Sequence, residues 1–138
     1  MLELELFEDS GKICAINYVI FKPLDLENSI SSSFDFDSKS NKENLTKFVE
    51  GLNNFLAQHS FNNNDLFTII SAEALEILKR IFKQNLINVP KYLNKNLFIM
   101  DKNDLELLDA DLNEKAKLFT LEFINNQQKF NSIKLIRD

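Results

Sequence analysis

The sequence predicts a single α/β domain, a mixed five-stranded sheet with flanking helices in the order β-β-β-α-β-α-β-α. Three observations predict it. Within the first 36 residues two segments that alternate apolar with polar side chains flank a nearly continuous apolar run, two later segments switch to a 3.6-residue period, and short apolar runs follow each of those segments. With 138 residues the chain has room for one core. Thirteen Phe against two Gly and two Pro, with 44% hydrophobic and 27% charged residues, argue against a disordered or fibrous chain.

Leu2, Leu4 and Leu6 alternate with Glu3, Glu5 and Phe7, so the first strand has one apolar face. It runs out at residues 9–11, where Ser10-Gly11 signals a hairpin turn into the nearly continuous apolar run 13–21. Pro23 closes that second strand, having no N–H for a ladder. Ile30, Ser32, Phe34 and Phe36 alternate again as a third strand. Leu45, Phe48, Val49, Leu52, Phe55 and Leu56 then form one stripe of an amphipathic helix ending near His59. Its start fits a capping box, with Ser40 for the N3 amide and Glu43 reaching back to the cap. Gly51, in mid-helix, suggests a close approach to the sheet.

After a polar loop at 62–65, residues 66–70 read as a short buried parallel strand. Ser71 caps a second helix over 72–83, whose inner face is Ala74, Ile77, Leu78, Ile81 and Phe82. Residues 85–96 are irregular, 97–100 form another buried strand, and 101–112 form a polar connection with a helical turn. A closing helix is expected over 113–128, and the tail 130–136 is either a short strand or a packed segment. No repeat or linker divides the chain into domains, so residues 1–138 read as one domain.

Sixteen basic against twenty-one acidic residues give a net charge of −5, the wrong sign for non-specific coating of nucleic acid, so any polyanion site must be local. Lys79, Arg80, Lys83, Lys91 and Lys95 supply such a local patch, in a stretch without Asp or Glu that also holds Phe82 and Tyr92. A solvated helix face followed by a lysine-rich loop explains the same residues. Cys14, the one cysteine, rules out an internal disulfide and a cysteine-based zinc cluster, and its apolar surroundings suggest a buried position. The acidic start MLELELFED does not resemble a signal peptide, and no run approaches the length of a membrane span, which makes a soluble cytoplasmic protein the expectation. His59 reads as a helix-end residue, and the pairs Asp35/Asp37 and Asp109/Asp111, whose spacing could bind a cation, read first as solvated or helix-start carboxylates. No Gly-rich phosphate loop, G-x-S-x-G elbow or H-E-x-x-H motif occurs.

The element order, with Asp9-Ser10-Gly11 after the first strand, Asn41-Lys42-Glu43-Asn44-Leu45 opening the first helix and Asn113-Glu114-Lys115-Ala116 opening the last, resembles the ribonuclease H fold family. The second segment is similar to the family's Asn-x-x-Glu-Leu pattern, with Glu43 taken as the catalytic glutamate, and the third to its Asn-Glu-x-Ala-Asp. The resemblance implies four carboxylates holding two divalent metals about 4 Å apart for phosphodiester hydrolysis. Asp9 and Glu43 match two of them, whereas Ser71 and Lys117 stand at the other two positions. A serine is a poor ligand for a hard cation, and a lysine repeats the charge of the metal it would replace. Lys117 could fill the old cavity by pairing with Asp9 or Glu43.

The expectation is therefore a catalytically degenerate ribonuclease H-like domain, needing no cofactor and serving as an interaction or structural module. Its partner would be an RNA–DNA hybrid or other nucleic acid held by the basic segment, or else a protein. The alternative is an active, divergent ribonuclease H that uses Mg²⁺ or Mn²⁺ to cut the RNA strand of RNA–DNA hybrids, with Glu73 or Glu114 as shifted substitutes for the lost carboxylates.

Overall fold

A hairpin of β1 (Leu2–Asp9) and β2 (Lys12–Lys22) begins the chain, followed by β3 (Asp25–Asp35) antiparallel to β2. The computed structural model describes residues 1–22, 25–61, 66–101, 104–108 and 132–136. The hairpin turns on Ser10 and Gly11, with φ of 53° and 80°. Two consecutive residues at positive φ match the twist of a two-residue hairpin, which explains the glycine at its second position.

Leu2, Leu4 and Leu6 of β1 stand opposite Ile20, Tyr18 and Ile16 of β2, so these cross-strand pairs make one apolar face. The expected alternation of β1 is thus present. The pairing slips between Phe7 and Glu8, where Cys14 is the extra residue on β2. The bulge turns Cys14 outward and leaves it exposed, correcting its expected burial. Ile13, beyond the bulge, returns to the core side and packs against the cluster.

Helix α1 (Asn41–Gln58) and helix α2 (Ala72–Gln84) both dock on this face. From α1, Leu45, Phe48, Leu52 and Leu56 are buried, and from α2, Ala74, Leu75, Leu78 and Phe82. At about 1.5–3 kcal/mol for each large apolar side chain, these two stripes hold the layer together. The Ser40 half of the capping box forms, its Oγ accepting from Glu43 N at 3.2 Å. Gly51 makes no close approach, since a Cβ there would meet nothing within 4 Å.

Both helices end alike. Ser60 and Leu86, at φ of 59° and 57°, follow the last turns of α1 and α2. Phe61 N donates to Leu56 O and Ile87 N to Phe82 O, both at 2.9 Å. Ser60 N donates to Ala57 O at 3.2 Å and Leu86 N to Lys83 O at 3.1 Å. These paired bonds are Schellman closures at positions where glycine is the usual residue. His59 sits at the end of α1 as expected, with its backbone N–H on Phe55 O and its ring against the Phe55 ring.

Strand β4 (Thr68–Ser71) pairs parallel with β1, and β5 (Leu97–Asp101) parallel with β4. A single 3-10 turn at Lys91–Leu93 precedes β5. The five expected strands form the contiguous run β3-β2-β1-β4-β5. Among the described residues two more extend the sheet to seven strands: β6 (Asp104–Leu108), antiparallel to β5, and β7 (Ser132–Ile136), parallel to β6. The polar connection expected over 101–112 therefore contains a strand. The tail adopts the strand alternative. The closing helix expected over 113–128 lies outside the described residues.

Candidate functional site

The parallel strands β1 and β4 are neighbours, but the chain leaves β1 toward β2 on one side, while the β4 connection goes to β5 on the other. In open α/β sheets the carboxyl ends at such a switch point leave a crevice. Both helices also begin at this end, α1 just after β3 and α2 immediately at Ser71.

Side-chain parity decides which carboxylate of β1 enters the crevice. Continuing the Leu2, Leu4, Leu6 face gives Glu8, and Glu8 indeed pairs with the core-side Ile13. A cleft of about 190 Å³ joins Glu8 and Leu6 to Ser71, Glu73, Ala74 and Ile77. A larger cleft, about 430 Å³, shares Glu8 and Ile77 and extends over Lys12, Ile13, the segment 36–39, Asn41, Asn44 and Arg80. Glu8 is thus common to both.

Asp9 and Glu43 line neither cleft. Asp9 is the exposed closing residue of the hairpin, opposite Lys12, with Ser10 Oγ donating to its Oδ1 at 3.3 Å. Glu43 is exposed on the first turn of α1. Its neighbour Asn44 is 2% exposed and reaches the larger cleft. Asn44 stands three residues after Asn41 and immediately before Leu45, so the polar side chain that the start of α1 brings to the cleft beside Asn41 is an amide.

Asn44 is spent on its own loop. Its Nδ2 donates to Lys39 O at 3.1 Å and Asp37 O at 3.3 Å, and its Oδ1 accepts from Asp37 N at 3.4 Å. Ser71 Oγ likewise accepts from Ala74 N at 3.1 Å, capping α2. Asp37 Oδ1 accepts from Lys39 N at 2.9 Å, and its Oδ2 lies 3.7 Å from Lys39 Nζ. Lys39 is raised from the ordinary lysine value and Lys47 lowered, each chiefly through the other's side chain, and Asp37 adds to the rise at Lys39.

Among the described residues no group of three or more His, Cys, Asp or Glu side chains is placed to hold a metal ion. Lys117 and Glu114 lie outside the described residues, as do Asp109 and Asp111. The residues of the basic segment differ in where they lie relative to the clefts. Arg80 lines the larger cleft, whereas Lys79 and Lys83 do not. Lys91 and Lys95 precede the amino end of β5, at the end of the sheet opposite the clefts.

Sequence reasoning passed over Glu8, Lys12 and Asn44. The signal for Glu8 is the period-2 parity of β1, and that for Asn44 is the spacing from Asn41. Comparisons with family models, curated proteins and solved structures return no match. Among the described residues no helix is long and apolar enough to cross a membrane.

Proposed function

We propose that this chain is a ribonuclease H-like domain that has lost metal-dependent catalysis and serves as a binding module. The observation that carries this reading is the identity of the side chains at the ends of β1, α1 and β4: Glu8, Asn44 and Ser71. The order β-β-β-α-β-α-β through β5 supports the fold assignment. A two-metal site needs several carboxylates to neutralise and grip two hard cations. Here two of these three positions are neutral, and both polar groups already serve the backbone. This donor set does not fit the pair of metals.

The test is incubation of the purified protein with a labelled RNA–DNA hybrid in Mg²⁺, Mn²⁺ or EDTA. The expected hybrid remains uncut in all three. Metal-dependent cutting that disappears in Glu8→Gln overturns the reading.

One observation favours a second reading, a divergent nuclease using Mg²⁺ or Mn²⁺. Glu8 and Glu73 line the same small cleft, so a shifted pair of carboxylates is present. Cutting lost in both Glu8→Gln and Glu73→Gln would establish it.

A further inference from the structure

We infer that the larger cleft is a binding site for a singly phosphorylated organic ligand of about nucleotide size. The inference rests on the same end-of-strand crevice as the binding-module reading, but not on the loss of catalysis. The cleft holds about 430 Å³, within the range of small-molecule sites. Three cations line it from three separate parts of the fold: Lys12 at the start of β2, Lys39 between β3 and α1, and Arg80 on α2. With Glu8 and Asp37 on the same lining the cleft carries a net charge of +1, opposite in sign to the −5 of the whole chain.

The first turn of α1 adds donors to the same wall. Glu43 N is taken by Ser40 Oγ and Asn44 N by Ser40 O. The earlier N–H groups, those of Asn41 and Lys42, have no helical acceptor, and Asn41 itself lines the cleft. Amides at a helix start together with converging cations suit a phosphate.

The remaining wall specifies the rest of the ligand. Ile13, Phe36, Ile77 and Ile81 add apolar surface to the same lining. That mixture suits a phosphate attached to a weakly polar body, where inorganic phosphate alone would leave the apolar surface unused. Asp37 competes with the ligand for Lys39 through the 3.7 Å ion pair.

Calorimetry in EDTA at low salt tests this with AMP, adenosine and inorganic phosphate as probes. AMP is expected to bind with a Kd on the order of 1 mM or tighter, and adenosine at least about tenfold more weakly. Arg80→Gln and Lys12→Gln should each weaken AMP by about tenfold or more, since each removes a charge-assisted bond. Lys95→Gln, at the far end of the sheet, should leave it within about twofold. Asp37→Asn should tighten it by freeing Lys39.

Adenosine binding as tightly as AMP overturns the inference, and so does AMP affinity unchanged in an Arg80→Gln, Lys12→Gln double variant that keeps wild-type circular dichroism. A 5′-phosphorylated oligonucleotide that binds with the same Arg80 dependence while AMP does not supports the phosphate site and assigns its source to nucleic-acid ends. Hybrid cutting in Mg²⁺ would overturn the loss of catalysis and leave the EDTA result standing.

Discussion

Replacing Asn44 with alanine should destabilise the fold by about 2 kcal/mol and loosen the wall of the larger cleft. The side chain is 2% exposed and makes three bonds to the segment between β3 and α1. A neutral bond contributes about 1 kcal/mol, and the two longer ones, at 3.3 and 3.4 Å, count about half. For a chain of this length, 1 kcal/mol moves Tm by roughly 3–4 °C, so a fall of about 6–8 °C is expected. Thermal unfolding followed by circular dichroism measures it.

Asn44→Asp provides a sharper comparison. Its carboxylate keeps the acceptor for Asp37 N but faces the two carbonyls that Nδ2 now serves. At pH 7 it should be less stable than the alanine variant, and the gap should narrow in acid as the carboxyl gains a proton to donate. A Tm loss under about 2 °C in Asn44→Ala would refute the clamp, as would an aspartate variant as stable as wild type.

Leu86→Gly should raise stability by about 1 kcal/mol, because Leu86 is 91% exposed at φ 57° and gains little from its side chain; urea denaturation checks it, and a loss would mean that the exposed leucine has a partner. Gly51→Ala should stabilise α1 by about 0.5–1 kcal/mol, since the added methyl meets open space, and a lowered urea midpoint would contradict that. The Met1 amine donates to Phe21 O at 2.7 Å, and burial pulls its pKa from 8.0 to about 5. Between those values the unfolded chain binds a proton that the folded chain does not, so stability should fall as pH drops from 8 toward 5, by up to about 4 kcal/mol. Urea titrations across that window, with an Nα-acetylated sample expected to lack this dependence, measure the slope.

Much of the sheet was legible because its first and third strands obey period 2, the second is a continuous apolar run after a turn signal, and the helices obey 3.6, with Ser40 and Ser71 marking both helix starts. Strand β6 was not, because Asp104 and Glu106 among leucines in a five-residue segment read equally well as a polar connection. Its strand character comes from pairing with β5 and β7, a tertiary effect that no local pattern carries. The clefts were half legible: Ser71 and Arg80, both singled out from the sequence, line them, whereas Asp9 and Glu43 each stand one residue beside a side chain that does. In a strand a one-residue step changes the face, which a motif match does not register.

The bulge at Cys14 bears on which length changes this hairpin can absorb. Its side chain stands outside the ladder, while Ala15 pairs with Phe7 and Ile13 with Glu8 on either side of it. Removing residue 14 would leave every one of those pairs in place and straighten the strand, giving up only the bond by which Phe36 N donates to Cys14 O at 2.8 Å. Removing any residue from 16 to 20 would instead exchange the inner and outer sets of half the hairpin, carrying Lys12 and Ile13 away from the cleft or Tyr18 away from the core. Position 14 is thus the one point in β2 where the chain can change length by one and keep its meaning.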